Sequence, residues 1–477
     1  MQKTPQKIKF GTDGWRAVMC DTFTFANVRL VVQAIASYIH DSGKAHKGVV
    51  IGHDARFLAE RFAEEAAKVM VANGIKVLMF NEDAPTPVVA YAVTLYQTAG
   101  AVMFTASHNP PEYNGIKYIP EYGGPASTDI TGAIESNLNK LTSVSADSVD
   151  LEIARQQERL QLIDPRGEYF DHISRLVDFD AIQQSGLRLV CDPMYGSGRH
   201  YLPEILAVNG CQVETIRGYR DPLFGGGLPE PTEKELTPLI DKVKATGSHL
   251  GLATDGDADR FGVIDGTGRY ITPNQVIALL LVHLVERRGY TGAVVRTVAT
   301  THLLDRLAEK YGLELIETPV GFKYICELMR RQSVVIGGEE SGGLSIGHHI
   351  PEKDGILANL LMAEMQATRG KALGEVLTDI MNDVGFFYSR RIDLRYPEVK
   401  KASLVKTLAS APPPRIAGRS VERVIDIDGA KLVLEDGSWF LVRPSGTEPL
   451  LRVYIEASSE TIVEELAVAV REFVESH

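Results

Sequence analysis

The run Asp255-Gly256-Asp257-Ala258-Asp259, closed by Arg260, puts three carboxylates at alternate positions. They converge on one hard cation only if the backbone between them is tightly turned, and Gly256 and Ala258 keep that turn uncrowded. The flanks 249–254 and 261–265 are apolar and read as strands, so the run is a loop between sheet elements and not a solvated acidic tract. Oxygen donors select Mg²⁺, Ca²⁺ or Mn²⁺ over Zn²⁺, and a Mg²⁺ site with three protein carboxylates keeps coordination positions for water or a phosphate oxygen. An EF-hand loop needs Gly at its sixth position and Glu at its twelfth. Arg260 and Gly266 stand there, and the pattern fails.

Three further loops carry reactive or gripping side chains. Thr105-Ala106-Ser107-His108-Asn109-Pro110 leaves the apolar run 101–104, with Lys117 following the turn at Asn114-Gly115. A serine beside His and Lys has the electropositive setting that a nucleophile needs. The same setting suits a phosphoserine, which carries about −1.5 to −2 charges. A Ser-His hydrolase is the competing reading, but the GxSxG elbow is absent and adjacent Ser and His rarely reach triad geometry. Arg443-Pro444-Ser445-Gly446-Thr447-Glu448-Pro449 offers a guanidinium fork, two hydroxyls and open backbone for a phosphate, and Arg452 on the next strand is read into the same site. Gly337-Gly338-Glu339-Glu340-Ser341-Gly342-Gly343 supplies carboxylates and a hydroxyl suited to vicinal sugar hydroxyls. Either loop taken alone also fits a plain turn. A metal triad, an activated serine, a hydroxyl-binding pair and a phosphate grip together are the parts for moving phosphoryl groups on a polyol.

The elements that must position these loops repeat. An apolar strand, an amphipathic helix, a Gly and a second apolar strand occur at 48–80, 187–216 and 293–317, each suited to a right-handed βαβ crossover. A loop at a strand end follows each unit, and ligands of open α/β sheets bind just beyond strand C-termini. After Arg390 the chain reads as short strands and turns, with a loop at 411–414 and a closing helix over about 460–475. The expected architecture is α/β: three related mixed-sheet domains containing βαβ units, plus a smaller C-terminal α+β domain. The expected boundaries are 1–160 (serine loop), 161–270 (metal loop), 271–388 (carboxylate loop) and 389–477 (phosphate loop).

Composition narrows the class. With 44% hydrophobic and 23% charged residues the 477-residue chain is ordinary globular protein, and a formal charge of −12 argues against bulk nucleic-acid or anionic-membrane binding. The longest apolar run, 276–285, is too short to span a bilayer and contains His283. Residues 1–10 hold three lysines and no signal-peptide core, so a cytoplasmic protein is expected. Cys20, Cys191, Cys211 and Cys326 are scattered and read as small buried hydrophobes. Nothing in the sequence speaks to oligomeric state.

Across essentially the whole chain the sequence resembles the α-D-phosphohexomutase family. The carriers, in the family's order, are the 10–16 segment Phe-Gly-Thr-Asp-Gly-Trp-Arg, the 105–110 and 114–117 segments, 255–260, 338–343 and 443–449. The resemblance implies a central cleft and a Mg²⁺-dependent isomerase acting on sugar phosphates, with glucose 1,6-bisphosphate as activator. It makes Ser107 the phosphoserine, with Asp255, Asp257, Asp259 and a phosphoserine oxygen holding Mg²⁺. It further implies that Lys117 is the general acid or base and that His108 and Arg16 orient the transferring group. Arg260, Glu339, Ser341, Lys353 and, more weakly, Lys323 become sugar-phosphate contacts, whereas Arg443, Ser445, Gly446 and Thr447 bind the phosphate that stays. Glu340 and the 349–355 stretch are similar to glucose-type members, while Gly342-Gly343 departs from the Phe-Gly of the eukaryotic glucose enzymes. Glucose and mannose differ at O2, which contacts to O3 and O4 do not read, so the implied substrate is glucose phosphate, with a dual glucose/mannose enzyme as the alternative and, behind it, a phosphoglucosamine mutase or a non-catalytic sugar-phosphate binding protein.

Overall fold

Central strands that read Val-Val-Ile, Leu-Val-Cys and Val-Val are buried throughout, as parallel strands covered on both faces must be. In the computed structural model, which describes residues 8–11, 14–141, 144, 146, 149–445 and 450–476, they lie inside three units of one topology. In the first, Val49–His53 runs parallel to Val77–Phe80 on one side and Gly100–Phe104 on the other, and Tyr113–Pro120 pairs antiparallel with Gly100–Phe104. The second repeats this with Arg188–Asp192 between Gln212–Thr215 and Leu250–Thr254, then antiparallel Phe261–Asp265. The third has Ala293–Thr297 between Leu315–Thr318 and Val334–Gly338, then antiparallel Leu344–Ile346.

In every unit a chemistry-bearing loop is the tip between the last parallel strand and its antiparallel neighbour. The crossing helices Ala59–Ala72, Leu202–Val208 and Leu303–Tyr311 are each followed within two residues by a Gly of positive φ, the left-handed exit read from the sequence. Edge strands widen the sheets: Trp15–Val18 and Leu160–Ile163 in the first, Tyr270–Ile271 in the second.

The fourth sheet is antiparallel, in the order Tyr388–Arg395, Leu450–Ala457, Trp439–Pro444, Ala430–Leu434, Arg419–Ile425, Arg415–Ile416. Glu460–Glu475 packs on it as expected. A second helix, Glu398–Ser410, stands where the sequence reads strands and turns. Its buried stripe is Lys401, Leu404 and Leu408, and a lysine on the inward face breaks the apolar periodicity that would have marked it.

One continuous apolar core runs through the first three domains, joining Val50, Leu252 and Leu280 among others, whereas the fourth has its own around Leu432, Phe440 and Val453. A small seam of Val298, Ala299, Val433, Trp439, Leu441 and Tyr454 joins the two. Residues 276–285 lie within the buried helix Pro273–Glu286, and among the described residues no helix is long and apolar enough to cross a membrane. Cys191 and Cys326 are buried as expected, but Cys20 is exposed: it sits at φ 64 in the turn after Trp15–Val18, outside the sheet's packed faces.

Candidate active site

The strand Gly100–Phe104 delivers Ser107 into a turn where it is 1% exposed and takes φ 50, the left-handed region that residues with a Cβ seldom adopt. The Ser107 N–H donates to Thr105 Oγ1 at 2.8 Å, and its hydroxyl donates to Asp255 Oδ2 at 2.9 Å. His108 Nδ1 is farther off, 3.4 Å from Ser107 Oγ. Burial, reinforced by Arg260 and Arg16, holds the His108 imidazole well below its ordinary range, so it is neutral near pH 7. Asp255, not His108, is the near partner of the hydroxyl, which leaves the hydrolase reading without its nucleophile–base pair.

Lys117 lies on Tyr113–Pro120 opposite Met103, and Arg16 lies on Trp15–Val18 opposite Gly115. Residues two apart on a strand share a face, so Arg16 and Lys117 stand on the same side of the first sheet. Arg16 Nη1 donates to Asn109 Oδ1 at 2.8 Å, tying the edge strand to the serine loop.

The Asp loop meets both. Asp255, Asp257 and Asp259 are buried, with one oxygen from each lying within 4.8 Å of the others. Lys117 Nζ donates to Asp257 Oδ2 and Asp259 Oδ2, both at 3.0 Å, and Lys353 Nζ lies 3.1 Å from Asp259 Oδ2. Burial and the other two carboxylates push Asp255 well above the usual carboxylate range. Asp257 is also penalised by burial, but Lys117, Thr86 and Lys353 outweigh that and hold it low. Asp257 Oδ1 and Asp259 Oδ1 are buried with no hydrogen-bond partner, a costly state that a hard divalent cation relieves. The donor set therefore fits Mg²⁺. Gly256 allows the approach of the two loops: a Cβ there would lie 2.8 Å from the Ser107 carbonyl oxygen and 3.2 Å from Pro229. Arg260 closes the loop, its N–H donating to Asp255 Oδ1 at 3.1 Å and its Nη1 to Glu230 Oε1 at 3.2 Å.

The third domain supplies Lys353 and Glu339. Asp354 caps the helix Gly355–Arg369 through Oδ1, while its Oδ2 accepts from Tyr169 at 2.7 Å and from His349 Nε2 at 2.9 Å. His172 Nε2 lies 3.0 Å from His349 Nδ1, so a chain of rings ending on a carboxylate pins the turn that carries Lys353. Glu339 Oε1 accepts from Gly321 N at 3.0 Å, joining the carboxylate turn to the 318–323 loop, and its charge reaches Arg260. Glu340 turns to the hydroxyls of Thr297 and Thr300, at 3.1 and 3.4 Å. Ser341 is exposed, and Lys323 is half-buried with its ammonium 5.1 Å from the Tyr324 ring. Gly342 takes φ 93, a turn that a Phe at this position would not share.

In the fourth domain Arg443 and Arg452 are cross-strand partners and share a face of the sheet. Arg443 Nε donates to Asp428 Oδ2 at 2.8 Å, and the same oxygen accepts from Val320 N at 3.0 Å, so Asp428 links Arg443 to the 318–323 loop. Lys401 Nζ donates to the Ser445 carbonyl at 2.8 Å. Gly446 and Thr447 lie outside the described residues. Sequence reasoning missed Thr86, Arg56, Asp428 and Lys401. Thr86 Oγ1 donates to Asp257 Oδ2 at 2.7 Å from 171 residues away, and no local pattern announces such a partner.

Four family models cover the chain in order: phosphoglucomutase/phosphomannomutase α/β/α domain I at residues 7–145, domain II at 167–268, domain III at 272–384 and the C-terminal domain at 392–473. A phosphoglucomutase/phosphomannomutase of Thermococcus kodakarensis is 30% identical over 453 residues, 94% of this chain and 95% of that one. A probable phosphoglucosamine mutase of Pyrococcus abyssi is 31% identical over 96% of this chain and 95% of its own length. The crystal structure of a putative phosphomannomutase from Thermus thermophilus superposes with a TM-score of 0.87 at 33% identity, covering 99% of this chain and 100% of that one. With all four domains matched, and in order, this chain belongs to the phosphoglucomutase/phosphomannomutase family, the α-D-phosphohexomutases.

Proposed function

We propose that this phosphohexomutase is a phosphoglucomutase, interconverting α-D-glucose 1-phosphate and glucose 6-phosphate through phosphorylated Ser107 and a glucose 1,6-bisphosphate intermediate. The observation that carries the reading is the meeting of Ser107 Oγ with Asp255 at 2.9 Å while Lys117 bridges Asp257 and Asp259 at 3.0 Å. Asp255, Asp257, Asp259 and a phosphoserine oxygen would hold Mg²⁺, which when bound supplies positive charge to the phosphoryl oxygens. Lys117 exchanges a proton with the sugar oxygen that attacks or departs. Arg16 and neutral His108 orient the transferring group. Glu339, Ser341, Arg260, Lys323 and Lys353 bind the sugar phosphate, and Arg443, Ser445, Gly446, Thr447 and Arg452 grip the phosphate that stays.

The intermediate must turn end for end without losing a phosphoryl group to water, so the cleft must close around it. The four lobes, read from the sequence as residues 1–160, 161–270, 271–388 and 389–477 but with boundaries that must shift to keep Leu160–Ile163 in the first sheet, Tyr270–Ile271 in the second and Tyr388–Arg395 in the fourth, each contribute one loop to that enclosure, and the location inferred for the enzyme is the cytoplasm. The glucose assignment is supported by Glu340 and the 349–355 stretch. A dual glucose/mannose enzyme is the second reading, supported by Glu339, whose suitability for O3 and O4 does not extend to O2, and by the Thermococcus relative's name.

A coupled assay of glucose 6-phosphate formation, with Mg²⁺ and a trace of glucose 1,6-bisphosphate, run beside mannose 1-phosphate, separates these readings. Turnover of glucose 1-phosphate alone is the expected result, equal rates establish the dual enzyme, and no turnover of either removes both and moves the assignment to an amino-sugar or pentose phosphate, or to a non-catalytic binding protein. Ser107→Ala abolishes turnover with an unchanged circular dichroism spectrum if the assignment holds, and so does chelation of the metal with EDTA.

A further inference from the structure

Arg56 lies in the turn between Val49–His53 and Ala59–Ala72, and its side chain is fully buried, 0% exposed. The two ends of its guanidinium fork serve the serine loop: Nη2 donates to the carbonyls of Ser107 and Asn109, both at 2.6 Å, and Nη1 to those of Pro110 and Tyr113 at 2.8 and 3.0 Å. Its Nε lies 3.2 Å from Asp54 Oδ2, and Asp54 Oδ1 in turn accepts from the Arg56 N–H at 3.0 Å. The second domain closes the other side. The Phe224 ring lies 5.0 Å from the guanidinium carbon, while Arg220 donates to the carbonyls of Ala55 at 3.0 Å and Arg56 at 3.1 Å.

A loop that leaves a sheet has carbonyls with no ladder to join, and here one planar fork takes three of them together with that of Tyr113, where the next strand begins. One of the four belongs to Ser107, whose φ of 50 persists only if its surroundings over-determine it. The same carbonyl oxygen is wedged against Gly256 of the Asp loop.

We infer that Arg56 is a positioning residue for phosphoryl transfer, holding the left-handed backbone of Ser107 so that its Oγ faces Asp255, with Phe224 of the second domain sealing the arrangement. This rests on Ser107 being the phosphorylated residue. Loading the enzyme forms the Ser107 Oγ–P bond as a sugar O–P bond of glucose 1,6-bisphosphate breaks, with the serine proton passing to the sugar oxygen. Displacing Oγ slows this step without weakening sugar binding.

Arg56→Lys keeps a cation beside Asp54 but loses the fork. The expected result is a fall in kcat of about 10-fold or more, KM for glucose 1-phosphate within about 2-fold, and an equal slowing of Ser107 loading by glucose 1,6-bisphosphate in single-turnover mass spectrometry. A merely structural arginine moves Tm and the active fraction but leaves the loading rate of the folded enzyme alone, and that outcome overturns the inference. If Arg56→Lys does not fold, Phe224→Leu takes its place: loading slowed about 3-fold or more sustains the inference, and wild-type loading overturns it. A wild-type enzyme that never carries a phosphoryl group on Ser107 removes the underlying assignment instead, a result distinct from equal loading of wild type and variant.

Discussion

Asp257 accepts from the Thr86 hydroxyl at 2.7 Å and from Lys117 at 3.0 Å while its other oxygen is unpartnered, so the carboxylate is oriented before any cation arrives. Removing that orientation weakens metal affinity more than it weakens the fold. Thr86→Val is expected to raise the Mg²⁺ concentration for half-maximal activity by about 10-fold, read from a Mg²⁺ titration of turnover, because groups that orient metal ligands typically contribute about 10- to 100-fold. An unchanged titration would show that Thr86 only packs. Gly256→Ala places a Cβ 2.8 Å from the Ser107 carbonyl oxygen, an approach that real Cβ atoms essentially never make. The serine and metal loops must part, so kcat should fall by about 10-fold or more with little change in Tm, since misplacement by about 1 Å costs on the order of 100-fold in rate. Wild-type kcat for this variant would mean that the loops have slack.

The tips of the three repeated units were legible because their residues are contiguous and their flanking strands are apolar. Glu398–Ser410 was not, and the reason is chemical: Lys401 faces inward and donates to the Ser445 carbonyl, so a polar contact interrupts the periodicity by which helices are recognised. Arg56 and Thr86 escaped for another reason, since their partners in the serine and Asp loops lie 51 or more residues away and only the packing of the strands brings them together. The inward lysine gives the helix a testable role. Lys401→Met preserves its length and apolar stem but releases the Ser445 carbonyl, at the start of the loop proposed to grip the phosphate that stays. KM for glucose 1-phosphate should rise by about 10-fold, with kcat changed less, because a hydrogen bond from a charged donor contributes about 1.5–3 kcal/mol. A fall in kcat at constant KM would place the loop in the chemical step instead.

At the scale of the molecule, protons and seams set the limits of stability. Burial, aided by His349, depresses His172 from 6.5 to about 4. The folded protein thus binds fewer protons than the unfolded chain, and this stability is complete above pH 6.5 and lost as pH falls toward 4. His172→Gln keeps a polar partner for His349 without that titration. The difference in unfolding free energy between wild type and variant, measured in urea, should therefore shrink over this window by an amount on the order of 1 kcal/mol, discounted for the ring's partial exposure. Comparing the two proteins cancels Asp54, whose carboxyl burial pushes up to about 6 and whose effect has the opposite sign. A constant difference between pH 4 and 6.5 would remove His172 from the acid response. The separate core of the fourth domain predicts a second behaviour. Trp15 and Trp439 are the two tryptophans, and Trp439 is 1% exposed in the seam against Val298 and Ala299, so in Trp15→Phe its emission reports the opening of that seam together with the fourth domain. Its red shift should precede the loss of helical circular dichroism in urea, and coincident transitions would show a single cooperative unit. The repetition of one four-stranded unit has a consequence beyond mechanics. The same hairpin tip carries Ser107 in the first copy, three aspartates in the second and Glu339 in the third, so the side chains at the tip change while the strands that present them do not. No single copy holds the serine, the three aspartates and the glutamate together, so a fragment cut down to one repeat keeps its strand pairings but only a third of the chemistry.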